Sequence, residues 1–327
     1  MPPSEYRPWS SMSAPPGCQR GVALISVLLV VAIVVAVGAA LLREQEQQRR
    51  RTAAVLHGGQ VLRYLAALED WSLVVLERDR GEGAQDALDE DWALGLSPMA
   101  IDGGFVSGAL QDAQGRFNLN NLVVEGEFNA PERNRFVRLL ESLETPSAEA
   151  EAIADALRDW MDEDQIESGS DGGEDYYYLG LPTPYRTGGR ALAAASELLL
   201  VRGMSAEIWE ALAPHVVALP GYRPVNVNTA TEKVLISLSS RIDEIFVQDI
   251  LDQRLESPFE SAQGFLDFVG NLSEMEAIPP ASIAVGSEYF LLEGRVSIGE
   301  AQLAETALIH RTAESAAVFR RALGEGL

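Results

Sequence analysis

Hydrophobic and polar positions divide the chain into three kinds of stretch. Residues 21–42, GVALISVLLVVAIVVAVGAALL, carry no charge. As a helix rising ~1.5 Å per residue this run extends about 33 Å, enough to cross a hydrocarbon core of ~30 Å. The apolar core of a secretory signal is usually only ~7–15 residues long, with a small-residue A-x-A site after it. No such site follows here. The next stretch, REQEQQRRRTAAVLHGGQVLRYLAALEDWSLVVLERD, is dominated by Ala, Leu, Glu, Gln and Arg. These are good helix formers, and no breaker occurs before Gly58-Gly59, so the helix is predicted to continue into water. The segment reads as a membrane anchor, not as a plain signal.

The middle of the chain is patterned for short helices. Phe136, Leu139, Leu140 and Leu143 recur at i, i+3, i+4, i+7, and Ile153, Leu157, Trp160 and Met161 mark a second apolar face. Val234, Leu235 and Leu238, then Phe246, Ile250 and Leu251, form a similar pair further on. Each pair follows an apolar-Asn-apolar-Asn motif, RFNLNNL at 116–122 and PVNVNTA at 224–230. An Asn side chain can accept from the N–H groups that open a helix, so each motif is a candidate cap or turn anchor. Thr229 with Glu232 also resembles a capping box. Two readings stand: independent helix starts, or two related helical subdomains. PVNVNTA resembles the opening of a helix-hairpin-helix module as well. The hairpin position is SSRIDE at 239–244, which lacks the glycines and carries two acids, so nucleic-acid binding is not expected.

Both ends of the soluble region alternate as strands do. Residues 103–117, GGFVSGALQDAQGRF, contain short apolar runs before the turn signal Asp112-Ala113-Gln114-Gly115. Residues 287–312 predict two strands, with Leu292, Val296 and Ile298 on one face and Glu293, Arg295 and Ser297 on the other; 315–323 predicts a third. Strands from both ends can share one antiparallel sheet, with the long helix against it and the helices inserted between. The fold class is therefore α+β.

Composition and charge narrow the function. The 327 residues are 47% hydrophobic, which specifies a globular chain. The formal net charge of −24 excludes a broad phosphate-binding surface. The single cysteine, Cys18, lies in the Pro/Ser-rich leader, so disulfides do not stabilise the fold. His57, His215 and His310 lack metal-ligand spacing. Arg7 and Arg20 precede the apolar run while Arg43, Arg49, Arg50 and Arg51 follow it, so arginine counting leaves orientation open.

One block concentrates chemistry. DWMDEDQIESGSDGGEDYYYLG, 159–180, gathers eight carboxylates between Asp159 and Asp175 with no Lys or Arg among them. Two like charges 4 Å apart repel by about 1 kcal/mol in water and more near a protein surface. A folded loop must therefore hold them apart or take up a counter-cation. Hard oxygen ligands suit Ca²⁺, and the glycines let backbone carbonyls turn inward. The spacing is not that of an EF-hand, because Ile166 falls at a ligand position. A solvated acidic loop, a structural Ca²⁺ site and paired-carboxylate catalysis are the three readings. The Tyr176-Tyr177-Tyr178 run is expected to pack its rings on the body.

RGVALISVLLVV resembles the processing site of type IV prepilin-like proteins. QDAQGRFNLNNL, ALRDWMDEDQ, GGEDYYYLGLPTPYR, SELLLVRGM and VNVNTATEKVL resemble, in order, blocks of the minor pseudopilin family known as type II secretion system protein K. The resemblance covers nearly the whole chain from Arg20. It implies cleavage after Gly21 by prepilin peptidase and methylation of Val22. Most prepilin-like proteins have Glu at the fifth mature position; here it is Ser26, as in this family. It implies a pilin-like long N-terminal helix packed on an antiparallel sheet with a large all-helical insertion, and Ca²⁺ bound structurally by Asp162, Asp164, Asp171, Glu174 and Asp175. The block Ser170-Asp171-Gly172-Gly173-Glu174 departs from the family's usual Gly-Ala-Glu. The implied organisation is a cytoplasmic leader (1–21), a transmembrane half-helix (22–42), a periplasmic core (43–122 and 286–327) and a helical insertion (123–285). The implied role is non-enzymatic: a single-pass inner-membrane protein with its bulk in the periplasm, joining other minor pseudopilins at the tip of a pseudopilus for protein export. The alternative is a signal-anchored periplasmic enzyme or binding protein using the acidic cluster. Intact-mass and N-terminal peptide analysis of the protein from its native membrane should find a chain beginning at N-methyl-Val22; a chain still beginning at Met1 in cells with active prepilin peptidase would contradict the processing expectation.

Overall fold

A computed structural model of the chain describes residues 20–79, 85–169, 172–270 and 277–324, with side chains from Ala23 onward. The chain divides into two units, residues 1–56 and 57–327. Helix α1, Arg20–Asp79, runs through both; Gly58-Gly59 does not break it. In the first unit the large apolar side chains from Leu24 to Leu42 are exposed all round the helix. A helix apolar on every side suits a lipid surround.

In the second unit α1 buries one face, through Val61, Leu65, Leu68 and Leu76. That face lies on a five-stranded antiparallel sheet of β1 (Leu96–Ile101), β2 (Gly104–Asp112), β9 (Tyr289–Ile298), β10 (Ala301–Arg311) and β11 (Ala316–Leu323), in the order β1-β2-β9-β10-β11. Leu292, Val296 and Ile298 are buried against the helix side. Gly108 and Gly294 face each other across β2 and β9. A Cβ at Gly108 would lie 3.0 Å from Leu68, and one at Gly294 3.1 Å from Leu68 and 3.3 Å from Leu65. The glycine pair is thus a recess into which the helix leucines settle. Strand β1 was not apparent in the sequence. Its LSPMAI run contains Pro98 and a register shift between Leu96 and Met99, both features of an edge strand.

Between β2 and β9 the chain makes helices α2 (Ala130–Ser142), α3 (Ser147–Met161), α4 (Asp175–Leu179), α5 (Ala206–Leu212), α6 (Glu232–Ser237), α7 (Phe246–Glu256) and α8 (Ala262–Val269). Two-residue bridges join them: β3 (Phe117–Asn118) with β6 (Val216–Val217), β4 (Val123–Val124) with β5 (Glu127–Phe128), and β7 (Val225–Asn226) with β8 (Ile283–Ala284). The β3–β6 and β7–β8 bridges are parallel.

The two Asn motifs occupy equivalent places. Asn118 and Asn226 each end the first strand of a parallel bridge, and each accepts from the N–H of the Asn two residues on. Those second residues clamp a distant peptide. Asn120 accepts from Leu192 N (2.8 Å) and donates to Leu192 O (3.0 Å); Asn228 accepts from Phe259 N (2.9 Å) and donates to Phe259 O (3.1 Å). This equivalence favours two related subdomains. The capping-box expectation needs correction. Thr231, not Thr229, N-caps α6, accepting from Val234 N at 3.4 Å. Thr229 instead donates to Asp112 at 2.6 Å, because β2 ends beneath it. Buried Asp112 also accepts from Asn226 (2.8 Å) and Ser287 (2.6 Å), tying the helical body to the sheet.

Replacing Asn120 by Ala leaves the buried N–H and C=O of Leu192 and the C=O of Leu219 without partners. Orphaned buried groups cost ~1–3 kcal/mol each, so for these three a loss of at least about 3 kcal/mol is expected, read by urea denaturation of wild type and variant.

Candidate metal centre

Helix α3 ends where the acidic block begins. Asp159, in its last turn, is fully buried, and its carboxylate accepts from Ser168 N (3.0 Å) and Gly173 N (2.9 Å). It thereby holds two distant points of the loop together. A Cβ at Gly172 would lie 2.2 Å from Asp159 Oδ2 and 2.6 Å from Ser168 O, so only glycine permits this approach. Asp162 is the C-cap of α3, and Glu174 is the N-cap of α4. The loop geometry brings carboxylate oxygens of Asp162, Asp164 and Glu174 within 4.8 Å of one another.

Asp164 Oδ1 accepts from Ile166 N (2.8 Å), but the other two residues are short of donors. Asp162 Oδ1 and both Glu174 Oε atoms are buried without a hydrogen-bond partner. Arg158 Nε lies 3.7 Å from Asp162 Oδ2, too long for a hydrogen bond, while its guanidinium stacks on Phe128 at 4.3 Å. Burial, then repulsion from Asp159, Asp162, Asp164 and Asp175, pushes the Glu174 carboxyl up to about 7. Burial, then Asp164 and Asp159, pushes Asp162 up to about 6 against the pull of Arg158. Buried carboxylates without donors are costly unless paired or metal-bound. The donor set is all hard oxygen, which fits a divalent cation such as Ca²⁺.

The expected ligands separate. Asp162, Asp164 and Glu174 converge. Asp175 does not join them: Thr187 N (3.0 Å), Thr187 Oγ1 (3.2 Å) and Arg186 bind its carboxylate. Burial opposes its ionisation, but those bonds outweigh burial and hold it below the usual carboxylate range. As the first residue of α4 it points away from its neighbour Glu174. Asp171 lies outside the described residues. Ser26 lies on the exposed surface of α1, and Gly21 and Val22 lie in its first turn. Of the three tyrosines, Tyr178 is buried against Trp160 (5.3 Å, edge-on) and accepts from Arg202 N (3.1 Å), whereas Tyr176 is 90% exposed. Tyr177 is half-buried, edge-on to Tyr178 at 5.1 Å and under Arg202 at 4.6 Å, so two of the three rings pack on the body.

A second acidic group, Asp79, Asp86 and Glu90, was not foreseen. The group is bound by Arg311 at Asp79 (2.7 Å) and Asp86 (2.5 Å), while Glu90 accepts from Trp92 Nε1 (2.6 Å). It has a cation of its own and works as a tie between the end of α1 and β10.

A long N-terminal helix whose second half lies on an antiparallel sheet, with a helical body inserted between strands, defines the pilin-like class, and the apolar first half of that helix is consistent with a single-pass anchor. The family described as type II secretion system protein K matches at residues 115–221 and 225–285. Type II secretion system protein K of Pseudomonas aeruginosa is 35% identical over 316 residues, covering 94% of each chain. That of Pectobacterium carotovorum subsp. carotovorum is 30% identical over 325 residues, covering 94% of this chain and 97% of its own. Among solved structures, a chain of the GspK-GspI-GspJ complex from the enterotoxigenic Escherichia coli type 2 secretion system superposes with a TM-score of 0.74 at 27% identity, over 84% of this chain and all of that one. This chain belongs to the type II secretion system protein K family.

A carboxyl whose folded pKa lies above its unfolded value is still protonated in the native state where the unfolded chain has ionised. Without a cation, stability therefore falls as pH rises from the ordinary values of 3.8 and 4.5 through about 6 and 7. A cation bound only to the folded state reverses this. Melting the full chain in detergent should show millimolar calcium raising the Tm more at pH 7.5 than at pH 5.5, with Glu174→Gln largely removing the calcium response. Equal melting with calcium and with chelator at pH 7.5 would count against the site.

Proposed function

We propose that this protein is the minor pseudopilin at the tip of the type II secretion pseudopilus, where it initiates and caps assembly with other minor pseudopilins. The observation that carries this reading is Ser26 on an otherwise apolar stretch of α1. After cleavage at Gly21, Ser26 is the fifth mature residue, where a shaft subunit carries Glu. A carboxylate in such surroundings is costly unless a neighbouring subunit's N-terminal amine pairs with it. A tip subunit has no neighbour above it to supply that amine. Ser26 removes the need.

Bulk supports the same place. The helical body between β2 and β9 would have to clear an identical neighbour at every step of a repeating shaft; at a tip it need not. The relative of known structure was solved in complex with GspI and GspJ, which supports other minor pseudopilins as partners. The apolar half of α1 supports a single-pass inner-membrane anchor, processed by prepilin peptidase, with the C-terminal unit in the periplasm. Calcium at Asp162, Asp164 and Glu174 would hold the acidic loop in one conformation and so fix the surface that α4 and its flanking turns present. The role is structural, and no chemical step is assigned to the acids.

Introducing the missing charge tests the tip reading. Ser26→Glu should reduce secretion several-fold and move the protein away from the pseudopilus end, measured by secreted-substrate assay and by crosslinking to the other minor pseudopilins. Unchanged secretion and unchanged crosslinks would contradict it.

A further inference from the structure

The first unit carries a charge pattern that the tip reading does not use. Arg43 is the first charge after the apolar run, and Arg49, Arg50 and Arg51 follow in consecutive positions, all exposed on α1. Four arginines against Glu44 and Glu46 leave residues 43–51 net positive in a chain of net charge −24. Within this stretch Arg50 Nε pairs with Glu46 Oε1 at 3.0 Å, between side chains that are 72% and 52% exposed. Such a surface pair is weak and easily exchanged.

Geometry selects the partner. Successive residues of a helix point about 100° apart and rise only ~1.5 Å, so Arg49, Arg50 and Arg51 send guanidinium groups around some 200° of azimuth within one thin band. A one-sided protein groove could engage one or two of them. A planar anionic layer perpendicular to the helix meets all three. The depth agrees. The band starts about 10 Å beyond Leu42, and headgroup layers add roughly 5–8 Å to each side of the hydrocarbon core. Long arginine side chains can lean back across the remaining gap, as they do at membrane interfaces. Arg43 sits at the boundary itself. Guanidinium groups bind phosphate oxygens in bidentate fashion, which suits phospholipid headgroups.

We propose that Arg43 and the Arg49-Arg50-Arg51 band form a headgroup-binding collar for anionic phospholipids on the side of the C-terminal unit, fixing the depth of α1 in the membrane before assembly. This rests on reading residues 22–42 as membrane-spanning. Each basic residue near an anionic surface contributes roughly a fivefold preference at low salt, so the collar favours anionic over zwitterionic lipid strongly.

The test uses the full chain in nanodiscs containing phosphatidylcholine and phosphatidylglycerol, with lipids retained per chain counted by native mass spectrometry. Wild type should retain phosphatidylglycerol. The triple variant Arg49→Gln, Arg50→Gln, Arg51→Gln should retain at least fivefold less, while Arg63→Gln, further along the same helix, should match wild type. Raising salt to 0.5 M should erase most of the difference. Helix content by circular dichroism checks that the variant is folded. Equal phosphatidylglycerol retention by wild type and triple variant overturns the proposal, as does unchanged lipid with loss of a crosslinked protein partner, which would make the band a protein-docking element. Alkaline carbonate extraction of native membranes separates the two levels: if both wild type and variant are released, the spanning reading itself fails; if both stay and their lipids match, only the collar fails.

Discussion

The buried carboxylates at the end of α3 are the constraint on which the acidic loop, residues 159–180, depends. Asp159 spends its oxygens on loop N–H groups and so draws Asp162, Asp164 and Glu174 into one small volume. Nothing among the described residues gives Glu174 a donor. The loop can keep this shape with the acids partly protonated, or with a cation between them. Near neutral pH the first option fails as protons leave, which is why the proposed cation and the fold of residues 159–180 are one question.

The rest of the body is organised so that this loop can be an elaboration. Asn120 and Asn228 make the same two-bond clamp, yet the chain from helix to clamped peptide differs greatly in length. Between α7 and Phe259 only Ser257 and Pro258 intervene, whereas between α3 and Leu192 lies the whole acidic block. The first subdomain thus carries the loop without altering the clamp that closes it. Asp112, bonded to Asn226, Thr229 and Ser287, then couples the second subdomain to the sheet.

Much of this was legible in the sequence because it rests on local periodicity. The long N-terminal helix follows from its uncharged run and the helix formers after it, and the strands around Leu292 and Val296 and the helices after each Asn motif follow from side-chain spacing. What was not legible depends on distant partners. Thr229 looked like a cap because Glu232 stands three residues on, but Asp112 competes for its hydroxyl from across the fold. The family resemblance implies Asp175 as a ligand beside Glu174, yet one step along a helix turns a side chain about 100°, and Thr187 and Arg186 bind its carboxylate. The Asp79, Asp86 and Arg311 tie could not be read at all, since Arg311 joins it only when β10 is in the sheet. The Gly108–Gly294 recess likewise needs the register of β2 and β9.

The most direct measurement is the calcium content of the full-length protein, purified without chelator and dialysed exhaustively against calcium-free buffer at pH 7.5, determined by elemental mass spectrometry. The account predicts at least one calcium per chain, lost in a variant carrying Asp162→Asn and Glu174→Gln. A wild-type chain that is folded and free of divalent metal at this pH would contradict it.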